Sequence, residues 1–324
     1  MAAPTPTSEL RGRGPAPRVA VIVTAYQKAA YLDRAIASCL EQDEPRPEVI
    51  VVDDGSTDDP AAVVARHPGV RFVRKENGGP SSARNAGIRA TEAELVVFLD
   101  GDDWLLPGAI AANLEAFDAA RPRPGMVAGG YLDWWVSRSE EPDPRAVGTA
   151  FGAGERATSH RGYAELLRHG NHIGMLAAVM FDRAALVASG GWDDDVRACE
   201  DYDVYLRVAR DHPVAYHDRP LAVYRRHDTN LSHDSALMLA TSMRVLRAQQ
   251  PFCAHDPELR GALDEGIATM RSWYAWTTVG SIAPALRERR WRDAWRAIGV
   301  SVRHAPRVVA DQLVGRAGRL VRRR

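Results

Sequence analysis

The stretch that most constrains this chain is LVVFLDGDDWLL, residues 95–106, in which an apolar run ends abruptly in three carboxylates. A short uninterrupted apolar run is typical of a strand that is buried on both faces of a parallel sheet. Asp100, Asp102 and Asp103 follow it, and charges so close together repel one another unless a cation or solvent shares them. Gly101 eases a turn that would aim alternate carboxylates at one point. Hard oxygen ligands of this kind suit Mg²⁺ or Mn²⁺, although an Asp-rich turn before a helix would have the same residues.

The length, charge and cysteine content of the chain set broad limits on the class of protein. A chain of 324 residues is long enough for one large α/β domain with an appendage, or for two modest domains. Its 42 basic and 42 acidic residues balance, so the net charge indicates no partner, nucleic acid included. The three cysteines are scattered, which favours a reducing compartment without a disulfide framework or a zinc site. No apolar run approaches the ~18 residues of a membrane span, and we expect a cytoplasmic protein.

Strands and helices are predicted to alternate along the first part of the chain. Apolar runs predict four strands, at residues 18–24, 48–52, 70–74 and 95–99. Helical spacing follows the first strand, and a short helix is predicted over residues 61–67. This alternation favours an α/β fold with a mostly parallel central sheet flanked by helices. In such sheets ligands bind at the carboxyl ends of the strands, where Tyr26, the pair Asp53 and Asp54, and the three later aspartates would gather.

Two common nucleotide-binding loops are absent from the sequence. No G-x-G-x-x-G follows the first strand, and no Walker loop occurs anywhere in the chain. The glycine loop NGGPSSARNAG, residues 77–87, runs instead into a helix whose N-cap we predict at Ser81 or Ser82. We therefore expect a ligand held by carboxylates and a metal rather than by a glycine cradle.

Four motifs, in this order and spacing, resemble the nucleotide-binding half of family 2 glycosyltransferases. They are VAVIVTAYQKAAYLDRAI, VIVVDDGSTDD, NGGPSSARNAGI and VVFLDGDDW. The resemblance covers roughly residues 18–230 and implies the GT-A type nucleotide-diphospho-sugar transferase fold. The chain departs from the family in the first motif, where Thr24-Ala25 stands at the place that usually includes a proline ahead of Tyr26. That departure should alter the turn but not the chemistry.

The resemblance implies a set of donor-binding residues. Thr24 and Tyr26 would line the base pocket, with the Tyr26 ring against the nucleobase. Asp54, or its neighbour Asp53, would accept a hydrogen bond from a base N–H, unless Asp53 serves only as a turn carboxylate. Arg84 would reach the base or the diphosphate, because a forked cation suits phosphate oxygens, whereas outside this motif it would be a solvated helix arginine.

The resemblance also implies a metal site. Asp100 would contact the ribose, and Asp102 would hold Mg²⁺ or Mn²⁺ between the two phosphates, while Asp103 would cap the following helix. His227 lies in a stretch that resembles the closing loop of the family, where a histidine can complete the metal site. A neutral imidazole is a competent Mn²⁺ ligand, but a loop histidine can also be merely solvated, and His233 ranks below it.

A second acidic stretch, CEDYDVYLR at residues 199–207, is the candidate catalytic segment. Tyr202, Tyr205 and Leu206 fit one helix face, so the acidic pair before them lies at a helix start, where the dipole already favours carboxylates. The pattern also resembles the Glu-Asp motif of the family, whose aspartate is the catalytic base. Asp201 would then take the proton as an acceptor hydroxyl attacks the anomeric carbon, with Glu200 positioning the acceptor. One base and one displacement imply inversion of configuration.

The remaining segments concern the acceptor and the surface. Residues 126–159 correspond to the variable acceptor-facing part of the family, where Trp134 and Trp135 either stack on a sugar or join the core. From residue 235 the composition is helical, and four tryptophans at helical spacing indicate packing. These are Trp273, Trp276, Trp291 and Trp295. The arginine-rich tail alternates basic and apolar residues, so it would either lie on an anionic membrane surface or be solvated.

Together these interpretations predict three regions and one activity. The regions are a disordered leader (residues 1–17), a GT-A domain (18–234) and a helical region with a basic tail (235–324). The activity is metal-dependent, inverting transfer of a sugar from a nucleoside diphosphate sugar to a hydroxyl of a glycan, lipid-linked sugar or metabolite. The alternatives are a catalytically inactive sugar-nucleotide or glycan-binding module, and a sugar nucleotidyltransferase. We expect a cytoplasmic location, with peripheral contact at the inner face of the membrane if the tail binds lipid.

Overall fold

The strands in the described part of the chain form a single mixed sheet. The computed structural model describes residues 17–43, 45–135, 162–227, 234–306 and 308–309. Its strands β1 to β8 are Val19–Ala25, Glu48–Asp53, Arg71–Arg74, Leu95–Asp100, Trp104–Leu105, Met126–Trp135, Val179–Asp182 and Val214–Arg226. They pair in the order β3-β2-β1-β4-β7-β6-β8-β5. The leader, the loop around Gly154, His233 and the arginine tail from residue 310 lie outside the described residues.

The predicted parallel sheet is confirmed in its first half and is mixed in its second half. Strands β3, β2, β1 and β4 are all parallel. Strand β7 then runs antiparallel to both β4 and β6, β8 is parallel to β6, and the short β5 is antiparallel to β8. Strand β7 begins only at Val179, because a turn of 3₁₀-helix, Leu176–Ala178, precedes it.

Helices cover both faces of the sheet. Helices α1 to α11 are Ala29–Leu40, Pro60–Val64, Pro80–Ala90, Ala109–Ala119, Gly162–His169, Arg183–Ala188, Glu200–Asp211, Ser235–Ala248, Gln250–Cys253, Pro257–Arg287 and Trp291–His304. Alternate residues of each central strand point to opposite faces. Ile22 and Phe98 therefore join one core, whereas Val23 and Leu99 join the other. Because both faces are covered, the central strands are apolar throughout.

Two predicted helix caps are wrong. Helix α3 begins at Pro80 with Gly79 as its N-cap, because proline suits the first helical position and Gly79 adopts a φ of +87°, so Ser81 lies inside the helix. Asp103 does not cap α4, whose N-cap is Gly108. The Asp103 carboxylate instead accepts a hydrogen bond from the backbone N–H of Arg225 at 2.8 Å, which ties the aspartate turn to β8.

The C-terminal helices pack directly on the α/β part. Leu246 of α8, and Leu263 and Met270 of α10, belong to the same core as Phe98 of the central sheet. Helix α10 crosses α5 so closely that a Cβ at Gly266 would overlap the carbonyl oxygen of Leu167. The predicted boundary at residue 235 thus marks a change from sheet to helices across a continuous core, and its role as a domain division stays a prediction.

The four tryptophans of the last two helices do not pack as their spacing indicated. Trp273, Trp276, Trp291 and Trp295 are between 44% and 68% exposed. Helix α11 turns small residues such as Ala294 and Ala297 inward instead. Within the described ranges, no helix combines the length and the apolar character that crossing a bilayer requires.

The close contact between α10 and α5 predicts that one added methyl group lowers the stability of the protein. We expect Gly266→Ala to lower the free energy of unfolding by about 1–3 kcal/mol, because the α5 backbone cannot yield as a side chain would. Gly261→Ala in the same helix is the matched control, since its Cβ would meet open space and should stabilise by up to about 1 kcal/mol. Urea unfolding of both variants measures the difference. Equal unfolding midpoints would contradict the packing of α10 on α5.

Candidate functional site

A cavity of about 820 Å³ lies at the carboxyl ends of β1, β2 and β4. Nine of the ten predicted site residues line it: Thr24, Tyr26, Asp54, Arg84, Asp100, Asp102, Glu200, Asp201 and His227. The tenth, Asp53, is fully buried and is not among the lining residues. The fold therefore brings together residues from six separate stretches of the sequence, from Thr24 to His227.

The two neighbouring aspartates after β2 have different surroundings. Asp53 accepts a hydrogen bond from the backbone N–H of Ser56 at 2.8 Å, which closes the turn after the strand. Asp54 faces the cavity, and its carboxylate accepts bonds from the backbone N–H of Gly79 at 2.7 Å and from Lys75 at 2.6 Å. The glycine loop before α3 is thus fastened to Asp54. The sequence left Asp53 and Asp54 as alternatives for contact with a base, and of these two Asp54 borders the cavity.

The end of β4 is fixed by its neighbour β1. Thr24 pairs with Asp100 in the register of the two strands, and its hydroxyl donates to the Asp100 carboxylate at 3.0 Å. The backbone N–H of Gly101 donates to the Thr24 carbonyl at 2.9 Å. A Cβ at Gly101 would lie 3.0 Å from that same oxygen, so glycine allows the turn to pass this close to β1.

Arg84 joins the two acidic segments of the site. Its side chain is buried, and its guanidinium donates to Glu200 at 2.8 Å and to Asp100 at 3.0 Å while it stacks 4.6 Å above the Trp192 ring. Burial opposes the charge of Arg84, but the two carboxylates outweigh it and hold the pKa of Arg84 above its ordinary value. A forked cation between two acids is a strong, directional contact. It holds the start of α7 against the end of β4.

Asp102 lies beside two residues from distant parts of the chain. Its carboxylate accepts from the Lys28 ammonium and lies 2.8 Å from Nε2 of His227, and Lys28 Nζ is 3.2 Å from that same nitrogen. Burial would raise the pKa of Asp102, but the bond and charge of Lys28, helped by His227, lower it. Lys28 was not among the predicted site residues, because it lies within the first motif but belongs to no metal or catalytic pattern.

The donor set around Asp102 fits a hard divalent cation. Mg²⁺ and Mn²⁺ take carboxylate and imidazole ligands, and they often keep only one or two protein ligands beside phosphate oxygens and water. Asp102 and His227 supply such a pair, although the Lys28 ammonium shares their space. No cluster of three His, Cys, Asp or Glu side chains in the described part of the chain could hold a metal by itself. A cation here would therefore depend on ligands from a bound phosphate.

Asp201 also lines the cavity. Cys199 precedes α7 with a φ of +56°, and this turn leads into Glu200 and Asp201 at the first helical positions. The Asp201 carboxylate accepts from the side-chain amide of Asn171 at 2.8 Å and from the backbone N–H of Tyr202 at 2.7 Å. Burial, and then the neighbouring charge of Glu200, raise the pKa of Asp201 to about 6. A carboxylate with that pKa is a stronger base than an ordinary aspartate.

The C-terminal helices close one side of the cavity. Met238 and Ser242 of α8, and Met270, Trp273 and Tyr274 of α10, line it together with Asp201. Sequence reasoning missed these residues and Asn171, because no local pattern connects them with the acidic motifs. Of the two tryptophans considered for sugar stacking, Trp134 packs edge-on against Trp104 at 5.5 Å and is not in the cavity wall. The side chain of Trp135 lies outside the described residues.

A family model and two related sequences match this chain. The model of the family described as Glycosyl transferase family 2 matches residues 20–184, just over half of the chain. The chain is 30% identical over 248 residues to the uncharacterized protein MT1568 of Mycobacterium tuberculosis, covering 72% of this chain and 74% of that protein. It is 35% identical over 211 residues to the succinoglycan biosynthesis protein ExoU of Rhizobium meliloti, covering 59% of this chain and 56% of ExoU.

A solved structure is similar over most of the chain. The mannosyltransferase PcManGT from Pyrobaculum calidifontis, solved in complex with GDP-Man and Mn²⁺, superposes with a TM-score of 0.55 at 20% identity. The similarity covers 93% of this chain and 89% of that structure. At this identity the similarity shows the fold. The resemblance and the fold class inferred from the sequence are both confirmed.

Proposed function

Because the chain belongs to glycosyl transferase family 2, we propose that it transfers a sugar from a nucleoside diphosphate sugar to an acceptor hydroxyl, with metal dependence and inversion. Membership of this family makes the protein a transferase enzyme. The finer parts of the proposal concern the donor, the cation, the base and the acceptor. Each is supported by a different set of contacts in the cavity.

The single observation that carries the proposal is the environment of Asp201. Its carboxylate is held by Asn171 and by the start of α7, and it borders the cavity together with the donor-side aspartates. A base that accepts the proton of an attacking hydroxyl works best when its pKa lies near the working pH, and the pKa of Asp201 is raised to about 6. With one base and no second nucleophile assigned, a single displacement inverts the anomeric centre.

The donor half of the cavity has the groups that a nucleoside diphosphate needs. Tyr26 is half exposed beside Asp54, so its ring can lie against a base whose N–H groups meet the carboxylate. Lys28 and Arg226 also line the cavity, where they pair with Asp102 and Asp133. Arg84 keeps Asp100 in place for a ribose while its own charge is balanced by the two carboxylates. These contacts support a sugar nucleotide as the donor.

Asp102 and His227 would hold the divalent cation. A bound Mg²⁺ or Mn²⁺ would neutralise the diphosphate and so favour its departure. Lys28 balances the charge of Asp102, and its ammonium could donate to a phosphate oxygen of a bound donor. The presence of Mn²⁺ with GDP-Man in the structurally similar PcManGT supports this assignment.

The acceptor proposal rests on the cavity wall and on one relative. Trp273 and Tyr274 present aromatic groups near Asp201, and aromatic faces suit the apolar side of a sugar ring. ExoU is named for succinoglycan biosynthesis, and the chain spans about half its length. We therefore propose a growing glycan or a lipid-linked saccharide as the acceptor. The inactive binding module and the sugar nucleotidyltransferase are disfavoured by the family match and by the carboxylates in the cavity.

Replacing the proposed base should separate catalysis from binding. Asp201→Asn keeps the size of the side chain but cannot take a proton, so transfer should fall by roughly 10²–10⁴. Donor affinity should change little, because the lost interaction is made in the transition state. Nucleoside diphosphate release across a panel of UDP, GDP and dTDP sugars identifies the donor and measures transfer, and calorimetry measures donor binding.

A matched control lies at the other end of the same helix. Asp211→Asn changes an exposed carboxylate of α7 that is remote from the cavity, and it should leave transfer unchanged. A folded Asp201→Asn variant with near-normal transfer would remove Asp201 as the base. Glu200 would then be the next residue to test, since it is the other acid at the start of α7.

Removing the divalent cation should stop turnover. If Asp102 and His227 hold the cation against the diphosphate, EDTA should abolish transfer, and added Mn²⁺ or Mg²⁺ should restore it. Asp102→Asn should weaken donor binding in the presence of metal, whereas Asp103→Asn should not, because Asp103 faces the backbone of β8. Calorimetric titration of the identified donor with and without metal makes the comparison. Full turnover in EDTA would overturn the metal assignment.

A further inference from the structure

The large apolar side chains that remain exposed are concentrated on one helical hairpin. Ten large hydrophobic residues in the described part of the chain are exposed, and six of them belong to α10 and α11. We define the tryptophan surface as five of these six, namely Trp276, Leu286, Trp291, Trp295 and Val302. The sixth, Trp273, lines the cavity one helical turn before Trp276. Single exposed hydrophobic residues are ordinary, but a concentration of tryptophans indicates a binding surface.

In helix α11 the large apolar residues are exposed and the small residues are buried, which is the opposite of the surface helix of an ordinary globular protein. Its buried residues are small or polar: Ala294, Ala297, Ser301 and His304. Trp291, Trp295 and Val302 recur at helical spacing on its exposed side. Folding does not bury these large apolar groups, so the stability of the monomer gives no reason for their placement. An external apolar partner would bury them.

The second half of the same hairpin is basic. Residues 287–303 contain six arginines and two acidic residues. Arg290 pairs with Glu288 and Asp293, and Arg296 pairs with Asp234. Arg289 and Arg292 are exposed, and neither forms an ion pair within the described residues. Positive charge beside exposed tryptophans matches a surface that offers anionic groups next to apolar material.

We propose that the tryptophan surface docks on an anionic lipid bilayer. Amphipathic helices that lie in the interface combine arginine or lysine with tryptophan, because the indole ring suits the boundary between headgroups and acyl chains. The anionic headgroups match the excess of arginine. A second copy of the chain is a poorer occupant, because two equally basic hairpins would repel each other. The docked helices lie on the membrane and do not cross it.

Docking through the tryptophan surface would also place the cavity beside the bilayer. Trp273 and Trp276 are neighbours on α10, so the cavity wall continues directly into the tryptophan surface. An acceptor that is anchored in the same membrane could then reach Asp201 without leaving the membrane. This last point rests on the proposed function, whereas binding to lipid does not and can be measured without any sugar.

The test is sedimentation with vesicles. The full-length protein should bind vesicles of mixed phosphatidylglycerol and phosphatidylcholine, and should bind vesicles of phosphatidylcholine alone much less. Trp291→Ser combined with Trp295→Ser should weaken binding about tenfold or more, because the apolar contact is lost. Arg289→Gln combined with Arg292→Gln should weaken it by a similar factor and remove much of its dependence on salt.

The controls distinguish vesicle binding through the tryptophan surface from effects of misfolding and from binding through the tail. Val187→Ser removes an exposed apolar residue of α6, and Arg89→Gln removes an exposed arginine of α3, and both variants should bind as the unaltered protein does. A chain ended after residue 305 should still bind, because the tryptophan surface remains intact. Circular dichroism and thermal melting confirm that each variant is folded.

Three results would overturn the proposal. The first is equal vesicle binding by the tryptophan variant and the unaltered protein. The second is binding that disappears with the tail while the tryptophan and arginine substitutions have no effect. The third is a dimer in analytical ultracentrifugation that the tryptophan substitutions dissociate, together with no binding to anionic vesicles, which would assign the surface to a second copy. Failure of sugar transfer in any of these variants would concern the proposed function instead.

Discussion

The site depends on one buried cation between two acids. Arg84 lies at the carboxyl end of the sheet, and without its contacts Glu200 and Asp100 would repel each other across the cavity. Arginine suits this position because its planar fork can serve two carboxylates in fixed directions, which a lysine cannot do. The stack on Trp192 fixes the plane of the guanidinium from below. The donor half and the catalytic half of the cavity are therefore held in register by a single side chain.

The same arrangement separates the tasks of the acidic residues. Asp54 and Asp103 hold backbone N–H groups of the glycine loop and of β8, so these two carboxylates shape the walls. Asp102 is balanced by Lys28 and is available to a cation. Asp201 alone among the four is held by a side-chain amide, from Asn171, and burial raises its pKa to about 6. Identical residue types thus acquire different chemistry from their neighbours.

The sequence predicts the central strands and most of the cavity because those signals are local. An apolar run that ends in aspartates shows both the strand and its polar end, and parallel pairing then brings such ends together. The helix caps were wrong because Pro80 and the long-range bond from Arg225 to Asp103 override a simple preference for serine and aspartate at caps. Asn171 and Lys28 were missed because their importance arises only from contacts with residues far along the chain.

The C-terminal helices show a different limit of prediction from sequence. Helical spacing indicated that the four tryptophans pack, but they lie on two different helices and are exposed. Periodicity cannot tell whether a helix face is turned inward. The small residues on the opposite face, together with Gly266 against α5, decide the question in favour of exposure. Whether α10 borders the cavity also depends on tertiary packing, which no local pattern encodes. Function at the acceptor side is accordingly the part least accessible from the sequence.

The most direct measurement of the central claim is the pH dependence of transfer by the unaltered protein and by Asn171→Ala. A base works in its deprotonated form, so the rate should fall as the pH drops through about 6, where burial and Glu200 place the pKa of Asp201. The bond from Asn171 lowers that pKa, and its removal should therefore move the acidic limb to higher pH. An acidic limb near the ordinary aspartate value of 3.8, unmoved by Asn171→Ala, would contradict the account.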